Sequence, residues 1–212
     1  MRAGLCVVIL LLLSGLAPAR ESAPRVLSPH RADAYSMKTF AQYEKWKDLK
    51  DFKKVTAIYN YLADKETGIF PMGAGAVEGD DVMYDYKYIR DPVKMINVYP
   101  LGYCDMLGPT MEGVMRDAGI GEDARTVNLP GVGHVVAEVK VKGQWCYLDL
   151  DLRGIFHKPD GTLASTMEAK KDASLWKKPT GPKFFPFGTR IFKGYQKSSI
   201  YYRYRVNMGG HT

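Results

Sequence analysis

Residues 133–150 constrain the fold more than any other stretch, because they alternate with a period of two. Val135, Ala137, Val139 and Val141 take one face, and His134, Val136, Glu138 and Lys140 take the other, as a strand requires. Lys142-Gly143 then predicts a tight hairpin turn into a second strand over residues 144–150. With the turn centred there, Gln144 pairs near Val141 and Asp149 near Val136, one alternation from His134. A chain with this hairpin must build an antiparallel sheet and cover its apolar face.

Helical segments upstream supply the cover. Cys104, Leu107, Met111, Val114, Met115 and Ala118 fall on one side of a helical projection, with Gly119 as the stop. Cys104 falls in the first turn, where a helix N-terminus stabilises a thiolate. Pro109 predicts a kink, or a helix that begins again after it, because an interior Pro removes one helical hydrogen bond. Phe52, Val55, Tyr59 and Leu62 mark a packing helix over residues 51–64. A further helix is expected over residues 38–47, with a break near Asp48. One straight helix would rotate the apolar residues from Phe40 to Leu62 off a common face. Residues 125–129 read as a strand, and KPDG joins residues 155–157 to 162–164 as a second hairpin. Ser165 and Glu168 form a capping box for a short helix ending near Ala173. The fold class is α+β: N-terminal helices and a Cys-bearing helix packed on an antiparallel β-sheet.

A Cys opening a helix, a His opening a strand and an Asp ending the next are the ingredients of a thiol nucleophile with its base and orienter. The ordered set Gly-Tyr-Cys at 102–104, Ala-Gly-Ile at 118–120, Arg125, HVVAEV from His134 and WCYLD at 145–149 resembles the transglutaminase-like superfamily. In those papain-type thiol enzymes G-x-C, A-G-I, R, H-x-W-x-E-V and W-x-x-x-D carry the site. Val136 stands where that family has its Trp, and Leu150-Asp151 replaces its Pro-Thr. The resemblance implies Cys104 as nucleophile, His134 as proton carrier and Asp149 as orienter, with no cofactor and no metal. Asp151, on the same strand face as Asp149, is the alternative orienter. The Cys104 backbone N–H is the implied oxyanion donor. Protein or peptide substrates are implied, cell-wall peptide among them, and the family covers both hydrolysis and transfer to an amine. The rival reading is a catalytically silent module of the same fold that binds wall polymer or protein. Arg125 and Glu138 also match family positions and read as a structural ion pair. Cys146 points away from the face of Trp145, Tyr147 and Asp149, and the resemblance argues against a Cys104–Cys146 disulfide.

The ends of the chain carry different information. Residues 1–19 combine Arg2, an apolar run from Leu5 to Leu13 and a small-x-small site at Ala17-Pro18-Ala19. These are the parts of a cleavable secretory signal, and the run is too short to favour a membrane span. The expected location is extracytoplasmic, with no transmembrane segment after cleavage. Residues 20–35 read as a linker, 36–174 as the transglutaminase-like domain, and 175–212 as a connector into a β-rich extension cut short at NMGGHT. A net charge of +7 suits contact with acidic surfaces or polymers, and equally a solvated basic surface. No nucleic-acid partner is expected, because the Tyr and Arg of SSIYYRYRV read as a half-exposed strand over residues 198–206. Residues 68–99 are expected to be irregular, and Glu78, Asp80 and Asp81 lack the spacing of a calcium loop. His157 is assigned no role.

Overall fold

Helices and strands alternate along the computed structural model, which describes residues 32, 34–64, 66–71, 89–98, 100–129, 133–172, 174–177 and 201–203. In chain order the elements are α1 (Met37–Phe40), α2 (Asp51–Ala63), β1 (Phe70–Pro71), α3 (Pro92–Asn97), β2 (Leu101–Gly102) and α4 (Cys104–Asp117). They continue as β3 (Asp123–Leu129), β4 (His134–Val141), β5 (Gln144–Leu148), α5 (Thr166–Lys171), α6 (Ser174–Lys177) and β6 (Tyr201–Arg203). Residues 1–19, expected to be a secretory signal, and the acidic trio lie outside the described residues.

The main sheet is antiparallel in the order β5-β4-β3-β6, while β1 and β2 form a short parallel pair. Lys142 (φ 51°) and Gly143 (φ 74°) both take the left-handed conformation, as a type I′ hairpin requires. That turn sets Val141 opposite Gln144 and Ala137 opposite Leu148, so the pairing leads Asp149 toward Val136 as expected from the sequence. The β3–β4 ladder places Arg125 opposite Glu138 and Leu129 opposite His134.

Both faces of the sheet are covered. On one, Met106, Leu107, Met111, Val114 and Met115 of α4 pack with Ala124, Ala137, Val139, Val141, Cys146 and Leu148. On the other, Val127, Leu129, Val136 and Tyr147 lie under Leu152, Phe156, Ala164 and Ala169. Burying each large apolar side chain contributes about 1.5–3 kcal/mol, so these two layers hold the hairpin from both sides. The edge of β5 is also occupied: Tyr147 N–H donates to the Ala164 carbonyl at 2.8 Å.

Two local expectations, on residues 38–47 and 68–99, are corrected, and two others are refined. The helix expected over residues 38–47 is only α1 followed by turns, because the Trp46 indole N–H donates to the Phe40 carbonyl at 2.8 Å. Phe40, Tyr43, Trp46 and Tyr61 then cluster, with ring centroids 4.8–6.1 Å apart, which favours that compact turn over a straight helix. Helix α4 runs through Pro109 without restarting; only the bond toward the Asp105 carbonyl is forfeited. Within residues 68–99, Asp91 caps α3 by accepting from Lys94 N–H, and Pro92 stands in its first turn. The second hairpin is present in short form: His157 bridges Leu163, Lys158 N–H donates to the Thr162 carbonyl at 2.8 Å and Ala164 N–H to the Phe156 carbonyl at 2.9 Å. The capping box of Ser165 and Glu168 is present as expected.

Gly108 lets α4 approach β4 closely enough to bring Cys104 near His134. A Cβ there would meet Val135 Cγ1 at 2.9 Å and the Val136 backbone carbon and oxygen at 3.3 Å. Overpacking against backbone outweighs the gain in helix propensity, so Gly108→Ala is expected to lower stability by about 1–2 kcal/mol. Urea unfolding measures it. A raised midpoint would mean that the helix has slack above the strand.

Candidate active site

Three backbone segments converge at the open end of the hairpin. Cys104 is the first residue of α4, behind the N-cap Tyr103, which makes no side-chain cap bond. The first N–H groups of the helix therefore have no partner within it. His134 opens β4 and is buried. Asp149 follows β5, where a two-way backbone bridge with Gly154 (3.0 and 2.9 Å) bends the chain back.

The His134–Asp149 contact is built in detail. His134 Nε2 lies 2.8 Å from Asp149 Oδ2. The same oxygen accepts from Tyr147 Oη–H at 2.6 Å, while Oδ1 accepts from the backbone N–H groups of Asp151 (3.0 Å) and Leu152 (2.9 Å). Those bonds fill the roughly four acceptor positions of a carboxylate. A carboxylate only accepts, so Nε2 carries the ring proton and Nδ1 faces the remaining groups. Tyr59 Oη–H fixes the segment from behind by donating to the Asp149 carbonyl at 2.9 Å.

On the Nδ1 side stand the thiol and a second carboxylate. Asp151 Oδ2 lies 3.7 Å from Nδ1. The Cys104 sulfur, a His134 ring nitrogen and an Asp151 oxygen all lie within 4.8 Å of one another. Cys104 Sγ–H also points at the Gly133 carbonyl, 3.9 Å away. No family model, curated protein or solved structure matches the chain. The site's chemistry is therefore read from its own geometry.

Electrostatics follow from the burial and the charges. Burial opposes a charged His134, but Asp149 and then Cys104 overcome it and raise its pKa to about 10. Burial, then the neighbouring Asp149 charge, pushes Asp151 up to about 6 despite His134. Burial and then Asp149 also raise Tyr59 well above the usual phenol value. A cationic ring thus stands beside the Cys104 sulfur.

Arg125 and Glu138 form a separate structural unit further along the sheet. Arg125 Nε and NH2 donate to Glu138 Oε2 at 2.8 and 2.6 Å, and Thr166 N–H donates to Oε1 at 2.7 Å. The Arg125 guanidinium lies 3.7 Å over the Trp145 ring. The motif residues thus divide between the Cys-His-Asp end and a brace across β3, β4 and α5. Cys146, a free thiol like Cys104, is buried on the α4 side. Burial, then Glu138, pushes its pKa up to about 12.

Sequence reasoning missed Tyr147 and Tyr59 as supports of Asp149. Tyr147 was legible, since it stands two residues before Asp149 on the same strand face. Tyr59 was not, because its contact spans 90 positions.

Proposed function

We propose that the protein is an exported thiol enzyme that acts on amide bonds, related in mechanism to the transglutaminase-like enzymes its motifs resemble. One observation carries the reading: His134 is held by Asp149 through Nε2 at 2.8 Å, while a ring nitrogen lies within 4.8 Å of the Cys104 sulfur at a helix N-terminus. In this reading the Cys104 thiolate attacks the amide carbonyl, and the oxyanion is stabilised by the Cys104 backbone N–H. The His134 imidazolium passes its proton to the departing amine as the C–N bond breaks, leaving a thioester on Cys104. Water then hydrolyses the thioester, or a second amine takes the acyl group, and His134 accepts the attacking group's proton. Protein or peptide substrates, including cell-wall peptide, suit an exported enzyme of this kind. Residues 1–19 support export, and a mature N-terminus at Arg20 is the expected product of processing.

Reactivity of the two thiols tests the proposal. Iodoacetamide at pH 7 is expected to modify Cys104 selectively, leaving Cys146 unmodified behind its burial and its pKa of about 12. His134→Ala should slow the Cys104 reaction, and Cys104→Ala should abolish the thioester seen by mass spectrometry with an activated peptide ester. Inert thiols at both positions would favour the silent binding module. Val136, in place of the family's Trp and buried at 1% exposure with Tyr147 and Phe156, and Pro109 inside α4 are the features that favour that rival.

A further inference from the structure

We propose that Cys104, His134 and Asp151 form a three-ligand site for a thiophilic divalent cation of the zinc class, which masks the thiol reversibly. The inference stands on ligand geometry and does not depend on acyl transfer. A thiolate, an imidazole nitrogen and a carboxylate oxygen make a donor set suited to zinc, with a fourth position left open. Among the described residues, this is the one group of His, Cys and acidic side chains placed to hold a metal ion.

The spacing is close to what coordination needs. The three ligand atoms lie within 4.8 Å of one another, and the imidazole–carboxylate separation is 3.7 Å. Ligand atoms around tetrahedral zinc lie roughly 3.3–3.8 Å apart, given metal–ligand distances of about 2.0–2.3 Å. Cys104 is partly exposed and the Asp151 side chain is 15% exposed, so both reach solvent and can close the remaining gap. His134 needs no reorientation. Its Nε2 is held by Asp149, which Tyr147 and two backbone N–H groups hold in turn. Metal-binding imidazoles use this outer-sphere arrangement to aim the opposite nitrogen at the ion.

Asp151 makes the argument specific to this chain. One carboxylate, Asp149, already orients His134, so the acyl mechanism has no use for a second. Among the described residues the Asp151 carboxylate accepts no hydrogen bond, and the imidazole lies 3.7 Å from it. A mostly buried carboxylate facing both a thiol and an imidazole is accounted for by a cation that all three share. Coordination then removes the sulfur's nucleophilic lone pair.

The test uses the full chain stripped with chelator and titrated calorimetrically with zinc chloride, and in parallel with Co2+ followed by absorption. One zinc per chain at micromolar or tighter affinity is expected, with a sulfur-to-cobalt charge-transfer band. Cys104→Ser and Asp151→Ala should each weaken binding by at least about tenfold, the scale on which even outer-sphere partners act. Cys146→Ala should bind as the parent does. Stoichiometric zinc should block alkylation of Cys104, and chelator should restore it. Thermal unfolding checks that each variant is folded, and Asp151→Asn replaces Asp151→Ala if the latter is not. No uptake at micromolar zinc, or unchanged affinity in both ligand variants, overturns the site. A chain that alkylates at Cys104 but takes up no zinc refutes the cation site alone. A chain that binds zinc there but never forms a thioester refutes acyl transfer alone.

Discussion

Asp149→Asn is expected to lower turnover by about ten-thousandfold while leaving the protein folded. The cause is a tautomer. Asp149 Oδ2 receives both the His134 ring and the Tyr147 hydroxyl. Asn can keep its carbonyl oxygen on the backbone N–H groups of Asp151 and Leu152, which then turns its amide N–H toward Oδ2's former partners. The Tyr147 hydroxyl can rotate to accept, but His134 Nε2 must give up its proton to do so. The ring proton then moves to Nδ1 and faces the sulfur, where a base is needed. Asp151→Asn is expected to cost less than about tenfold, because 3.7 Å from Nδ1 is beyond a hydrogen bond. Steady-state turnover of both variants, with circular dichroism as the folding control, decides between the two acids. A larger loss at Asp151 would reassign the orienter.

The largest expected change in stability belongs to the brace and not to the Cys-His-Asp end. Glu138→Ala removes the partner of a guanidinium whose side chain is only 8% exposed, beside a carboxylate at 0%. It also strips the Thr166 N–H of its acceptor. Leaving one charge of a buried pair uncompensated costs about 3–5 kcal/mol. The double variant Arg125→Met with Glu138→Leu should recover most of that loss, since well-packed apolar substitutes for buried pairs are often neutral. Denaturant unfolding of the two variants measures both numbers. A loss below about 1 kcal/mol in Glu138→Ala would place this pair with exposed ion pairs.

Turn chemistry and alternation made the centre of the molecule readable. Lys142-Gly143 admits one hairpin register, and a slip of one residue would turn His134 and Glu138 to the α4 side. The pairing of Val141 with Gln144 therefore followed from residue types alone. Asp151 was expected beside His134 as the alternative orienter, and it does lie there, but on the Nδ1 side with the thiol. Its approach to Nδ1 depends on the bend after β5, closed by the Asp149–Gly154 bridge and by Arg153 at φ 56°. A left-handed non-glycine residue carries no sequence signal. Helix α3 was hidden differently: Asp91-Pro92 is a start signal, but it sits in a stretch whose Gly and Tyr content reads as loop. At the N-terminus, helical spacing around Phe40 was real but misleading, because an indole bond to a backbone carbonyl ended the helix after one turn.

The occupied edge of β5 bears on how a polypeptide can be recognised. Many proteins that bind extended peptides let the guest join a sheet as an extra strand, using the unpaired N–H and C=O groups of its outermost member. Here the Tyr147 N–H is already donated to Ala164, whose own N–H returns to the Phe156 carbonyl. The chain has augmented its own sheet at the place nearest Asp149. Strand addition beside Tyr147 is therefore closed by the chain itself.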